Sequence, residues 1–222
     1  MFGMLNPTMV SPEHALRGRD DYAYWIPERH AVLGTPLMGP WPEGTAVLHL
    51  ALGCFWGAEK ALWQLPGVVT TAAGYMGGYT PFPTYEETCT GRTGHTETVL
   101  VAYDPTVLSH AELLRTFWTL HDPTQGFRQG NDRGTQYRSA IFTTTPEQLE
   151  AAFATRDAYA PELRAHGYGD ITTEIRSVDD RDGVPGAGRF YYAEDYHQQY
   201  LHKVPNGYCP VHSTGVACPI PG

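Results

Sequence analysis

The order of hydrophobic patterns along this chain predicts an α+β protein, a two-layer α/β sandwich with long irregular segments at both ends. Three observations carry that reading. Strand-like and helix-like runs follow one another as β-α-β-β-α-β between residues 46 and 143. That order is the split βαβ arrangement of ferredoxin-like sandwiches. The stretches before residue 45 and after residue 203 are broken repeatedly by proline and glycine. A length of 222 residues fits one domain with a full core. We therefore expect a single domain over 1–222, with a loop-rich arm at 1–44, a core at 45–203 and a mobile tail at 204–222.

The elements can be justified in order. The arm carries Pro7, Pro12, Pro27, Pro36, Pro40 and Pro42, which leave room for only a short helix near 12–17. Its Tyr24, Trp25, Ile26, Val32 and Leu33 predict packing on the domain, since a disordered tail carries fewer apolar residues. A Val/Leu/Ala-rich run predicts the first strand at about 46–53. Phe55, Ala58, Leu62 and Leu65 recur at helical spacing and predict a helix over about 56–65, closed by Pro66-Gly67. A second strand follows over 68–75, then an irregular loop to Gly94. Residues 95–103 alternate and predict a third strand. Leu113, Leu114, Phe117 and Leu120 share one side of a helix over 109–120 capped by Ser109. A second irregular loop, 121–134, leads to a strand at about 136–143. A helix from Pro146 to about Tyr159, capped by Thr145, comes next. Short strands at 171–175 and 190–192 and a last helix over 194–203 complete the core.

Composition excludes several functions. The formal net charge of −9 argues against nucleic acid or an anionic membrane as the main partner. The first ten residues lack the basic and apolar regions of a secretory signal. No apolar stretch approaches the ~18 residues of a membrane span. The expected location is cytoplasmic and the expected state monomeric. Four cysteines occur, at 54, 89, 209 and 218. Their spacing fits neither a zinc site nor a Cys-x-x-Cys redox pair. No metal is expected, and no cofactor is expected either.

Cys54 lies where the first strand hands over to the first helix. A thiol there faces the unpaired N–H groups of the helix's first turn, whose partial positive charge favours thiolate. Phe55 and Trp56 follow directly and suit the wall of an apolar pocket. The alternative is a buried structural cysteine. Glu97 falls on one face of the third strand with His95, Val99, Val101 and Tyr103. A carboxyl in that row, buried without a cation, keeps its proton near neutrality and can donate it. A strand-end carboxylate in water, or one paired with arginine, is the competing reading. Tyr85 in the first loop, and Asp132 and Tyr137 in the stretch 129–137, add polar groups beside aromatic rings, a combination suited to a polarised oxygen. For any single tyrosine, a place at the edge of the core competes with that role. Cys209 and Cys218 lie among tail glycines and prolines, as partners able to reach Cys54; two exposed spare thiols are the competing reading. Cys89 has no special neighbour in sequence and reads as structural.

These residues sit in a series of ordered motifs: Gly53-Cys54-Phe55-Trp56-Gly57, Ala72-Ala73-Gly74-Tyr75, Gly77-Gly78-Tyr79, Gly94-His95-Thr96-Glu97, Gln129-Gly130-Asn131-Asp132, Gly134-Thr135-Gln136-Tyr137-Arg138-Ser139 and Pro205-Asn206-Gly207-Tyr208-Cys209. Over about residues 45–220 the chain resembles peptide methionine sulfoxide reductase A, and its three-cysteine type in particular. The resemblance implies that Cys54 is the nucleophile, that Phe55 and Trp56 hold the substrate methyl, and that Glu97 protonates the sulfoxide oxygen. It implies that Tyr85 and Tyr137 hydrogen-bond that oxygen, that Asp132 helps order the pocket, and that Cys209 and Cys218 are recycling cysteines. The implied reaction is reduction of the S epimer of methionine sulfoxide, free or in proteins. It runs through a Cys54 sulfenic acid, a Cys54–Cys209 disulfide and a Cys209–Cys218 disulfide, with thioredoxin as reductant and repair of oxidative damage as its purpose. A thiol peroxidase, a Cys/His hydrolase and a redox-sensing interaction domain are the competing readings.

Overall fold

A computed structural model of the chain describes residues 7–180, 188–208 and 212–220. Its strands are β1 (Ala46–Leu52), β2 (Val68–Met76), β3 (Thr96–Tyr103), β4 (Arg128–Gln129), β5 (Asp132–Arg133), β6 (Ser139–Thr143), β7 (Glu174–Ser177) and β8 (Tyr191–Tyr192). Its helices are α1 (Phe55–Leu62), α2 (Tyr85–Cys89), α3 (His110–Leu120), α4 (Pro146–Ala165) and α5 (Tyr200–Lys203).

Six strands form one sheet in the order β7-β6-β1-β3-β2-β8, and β4 and β5 form a separate hairpin. The four central strands β6-β1-β3-β2 are antiparallel throughout, the ferredoxin-like arrangement expected from the sequence. β7 extends the sheet parallel to β6, and β8 extends it antiparallel to β2. Period-two alternation sends Leu48, Leu50, Val99, Val101, Tyr103 and Ile141 to one face, where they pack with Leu62, Leu113, Phe117, Tyr159 and Leu163 from the helices. Burial of these side chains is the main source of stability, at roughly 1.5–3 kcal/mol for each large residue.

The opposite face is not left to water. Leu37 of the arm packs fully buried on Ala72, Leu100 and Ala102, with Ile26, Trp41, Phe190 and Tyr192 around them. The arm is fastened by polar groups too. Arg19 donates to both carboxylate oxygens of Glu87 at 2.8 Å, and the Tyr24 hydroxyl bonds the carbonyls of Pro83 and Tyr192. Trp25 and Val32, expected to pack, are instead exposed.

Several local expectations are corrected. Ser109 and Thr145 cap α3 and α4 as anticipated, but α4 runs on through Pro161 to Ala165. Core burial of Tyr159 and Leu163 on either side outweighs the hydrogen bond that proline cannot donate. The loop 76–94 contains α2, whose signal was present. Thr84 and Glu87 form a reciprocal capping box, three residues apart. The strand expected from 136 begins at Ser139, because 135–137 make a 3-10 turn. The last helix is broken: 195–197 form a 3-10 turn, Gln199 adopts a left-handed conformation at φ 48°, and α5 starts only at Tyr200.

Candidate active site

The end of β1 turns into α1 through Gly53, at φ 91°. A Cβ at this position would stand 2.7 Å from the side chain of Gln129, so the turn also needs the bare backbone. The turn puts Cys54 at the N-cap of α1. Its thiol is 8% exposed. Here the expectation of a resting thiolate is corrected. Burial, together with the negative charges of Glu97 and Asp132, pushes the thiol above its ordinary range, against hydrogen bonds from the N–H groups of Trp56 and Gly57. The helix terminus helps the anion but does not win against desolvation, so Cys54 rests protonated.

Glu97 comes from β3, directly opposite Tyr75 of β2. It is 2% exposed. Its Oε2 accepts the Phe55 N–H at 3.0 Å, which brings the carboxyl against the residue that follows Cys54. Among the described residues it has no ion-pair partner. Burial pushes it up to about 8, opposed by the Phe55 bond and reinforced by Asp132. The carboxyl therefore holds its proton at neutral pH.

The other predicted residues converge on the same place. Tyr85, the first residue of α2, and Tyr137, in the 3-10 turn before β6, are both raised by burial first and by the Glu97 charge second. Asp132, in β5, acts electrostatically on Cys54, Glu97 and Tyr137, and is itself raised by burial. Phe55 is buried against Tyr75, their ring centroids 5.9 Å apart. Trp56 is held by its own partners: its indole N–H donates to His197 Nδ1 at 3.0 Å, and its ring stacks on Tyr200 at 3.9 Å.

Three residues were missed from sequence. His197 is fully buried between Phe55, Trp56 and Tyr85, and burial lowers it to about 3, so it is neutral. Because Trp56 donates to Nδ1, the ring proton sits on Nε2, which has no partner among the described residues. Glu194 accepts the Tyr75 hydroxyl on one carboxylate oxygen and the Tyr85 N–H on the other, each at 2.8 Å, and so fixes one tyrosine's hydroxyl and the other's backbone. Cys89 is also not the structural cysteine expected. It is exposed at the end of α2, and its thiol is hydrogen-bonded to the Tyr85 hydroxyl. Glu194 ends the run Tyr191-Tyr192-Ala193-Glu194, which resembles a motif of the family but gave it no role, and no period or motif marks His197 or Cys89.

Cys209 lies outside the described residues. The residues on either side of 209–211 both rest on the loop beside Cys54. Tyr208 donates to Asp132 at 3.3 Å, and the His212 ring occupies the space a Cβ on Gly130 would take. Cys218 differs from the expected mobile thiol. It is 4% exposed, belongs to the main core cluster with Val216, and is pushed up to about 12 by burial. The tail around it is fastened to α4: the Tyr159 hydroxyl bonds Thr214 Oγ1 at 2.8 Å and donates to the Val216 carbonyl at 3.0 Å. Tyr159→Phe is expected to loosen this strap and speed alkylation of Cys218 in the reduced protein. Two lost bonds at ~1 kcal/mol each correspond to about tenfold or more. Peptide mapping after timed alkylation measures it; an unchanged Cys218 rate would mean that the strap does not control access.

Fold and site together place a buried thiol at a strand-to-helix corner beside a carboxyl that keeps its proton near neutrality, an arrangement suited to an enzyme that works through sulfur. Comparison with known proteins narrows this to one group: the chain belongs to the peptide methionine sulfoxide reductase family, whose model matches residues 46–217. A peptide methionine sulfoxide reductase MsrA of Rhodospirillum centenum is 63% identical over 192 residues, 86% of this chain and 84% of that one. One from Salinispora arenicola is 58% identical over 96% of this chain and 93% of its own. The solved methionine sulfoxide reductase A of Corynebacterium diphtheriae superposes with a TM-score of 0.84 at 53% identity, covering 97% of this chain and all of that one.

Proposed function

We propose that this chain reduces the S epimer of methionine sulfoxide to methionine, with Cys54 as nucleophile and Glu97 as acid. One observation carries the reading: a proton-bearing carboxyl is bonded to the residue next to a buried thiol, inside a cage of aromatic rings. A sulfoxide carries a polar S–O bond beside an apolar methyl. Phe55 and Trp56 offer the methyl a wall, while Glu97, Tyr85 and Tyr137 offer the oxygen donors. Asp132 orders the loop opposite. The Cys54 sulfur attacks the sulfoxide sulfur as Glu97 delivers its proton to the oxygen; the thiol proton returns to the Glu97 carboxylate. The attack joins the two sulfurs; Glu97, reprotonated by the thiol, lets the oxygen leave as water, and a water then attacks the Cys54 sulfur and breaks the S–S bond. Methionine departs, a proton is released and Cys54 is left as a sulfenic acid, so thiol sulfur is oxidised by two electrons and sulfoxide sulfur reduced by two.

In the recycling steps, Cys209 condenses with the sulfenic acid and releases water. Cys218 then exchanges onto Cys209, freeing Cys54. The positions of Tyr208 and His212 beside the Cys54 loop support the first step. The buried Cys218 implies that the Tyr159 strap opens before the second. Thioredoxin, at about −270 mV, reduces the tail disulfide if that pair is more oxidising. The enzyme works as a single-domain monomer in the cytoplasm and repairs oxidised methionine. No helix among the described residues is long and apolar enough to cross a membrane.

The test is methionine released from each sulfoxide epimer, with and without a thioredoxin system. Turnover of the S epimer only, dependent on thioredoxin, is expected. Rapid peroxide reduction with no methionine formed would favour a thiol peroxidase. Cys209→Ser is expected to give about one methionine per enzyme in a single turnover and then stop. A missing first-turnover product would contradict the order of steps.

A further inference from the structure

Behind the site, on the inner side of α1, lies a second buried carboxylate that the chemistry above does not use. Glu59 has no exposed surface and sits one turn after Trp56. Three donors converge on it. The Gln199 N–H reaches Oε2 at 2.8 Å, the Gln199 side-chain amide reaches Oε1 at 2.7 Å, and the Thr71 hydroxyl reaches Oε1 at 3.1 Å. Gln199 is the residue held at φ 48°, a conformation that persists only when its surroundings over-determine it. The two side chains that touch Trp56 flank that kink: His197, which accepts the indole N–H, and Tyr200, which stacks on the ring.

The N-terminal arm closes the network. Thr71 donates to Glu59, so its oxygen accepts from His30 Nε2 at 2.9 Å. His30 Nδ1 in turn accepts the N–H groups of Val32 and Leu33. The Ala31 N–H donates to Gln199 Oε1 at 2.9 Å. The arm therefore reaches both the carboxylate and the residue it clamps.

We propose that Glu59 is a positioning residue: with His30 of the arm it locks the Gln199 kink, and through His197 and Tyr200 it fixes the Trp56 wall against which the substrate methyl rests. This also gives the arm a part in the reaction. The proposal rests on the reading of Trp56 as a substrate wall, and a double-mutant cycle separates the two. KM and kcat for N-acetyl-methionine (S)-sulfoxide are measured for the wild type, Glu59→Gln, Trp56→Phe and the double variant. His30→Gln is run as a second probe in case Glu59→Gln fails to fold. In Glu59→Gln an amide nitrogen faces one of the Gln199 donors, and the kink slackens. The expected result is a rise in KM of about tenfold, with one methionine still formed per enzyme in the first turnover and most of this rise absent in the Trp56→Phe background. A smaller rise of the same kind is expected for His30→Gln. Additive effects, or lowered thermal stability with KM unchanged, would overturn the proposal and leave Glu59 a purely structural group. An unchanged KM in Trp56→Phe alone would overturn the wall itself, and this inference with it.

Discussion

Cys54→Ser is expected to release no methionine at all, in the first turnover or any later one. Its hydroxyl is a far weaker nucleophile than sulfur and cannot carry the oxygen as a sulfenic acid. None of the other described thiols can substitute. Cys89 is exposed and tied to Tyr85, and Cys218 is packed in the core against the helices. The resting state makes the result more informative. Burial keeps Cys54 protonated, so its reactivity depends on the proton exchange with Glu97 and the bound sulfoxide. Quantifying methionine against enzyme in a rapid-quench experiment decides the matter. Product at even one equivalent would place the nucleophile elsewhere.

Glu97→Gln carries the second large effect. Loss of a positioned general acid costs roughly 10²–10⁴ in rate. The pH dependence is as informative as the magnitude. The carboxyl, ordinarily near 4.5, is pushed up to about 8, and its protonated form is the active one. Wild-type activity should therefore hold below about pH 8 and fall about tenfold per unit above it, whereas the glutamine variant should lack that descending limb. Stability follows the same sign. The folded acid holds its proton up to about 8 and the unfolded one only to about 4.5, so the wild type loses stability as pH rises between these values. Glutamine cannot ionise, so the variant should melt above the wild type at pH 9 and differ less at pH 6. A descending limb that survives in Glu97→Gln would take Glu97 out of the mechanism.

Much of this could be read from the chain. The alternation in β3 marked Glu97 as facing the core with Val99, Val101 and Tyr103, and it does so. Gly53-Cys54-Phe55-Trp56 marked the strand-to-helix corner. The residues that escaped notice have no local signature of their role. His197 and Tyr200 looked like part of one helix, because nothing in Glu194 to Lys203 announces that Gln199 turns left-handed. That kink is imposed by Glu59, from a helix 140 positions earlier. Cys218 looked free because prolines and glycines surround it. Its described residues 212–220 form no helix or strand, yet hydrogen bonds from Tyr159 pin them regardless.

Local pattern alone settled what is set by neighbours in sequence: the order of the four central strands and the two helices between them, the sides they bury, the caps at Ser109 and Thr145, and the corner that presents the sulfur. Its limit is the range over which period and propensity act, about one turn or one strand. The ionisation of Cys54 and Glu97, the clamp on Trp56 and the storage of Cys218 were decided only when distant segments met. Desolvation and long-range hydrogen bonds depend on what closes over a group, and that is a property of the packed chain.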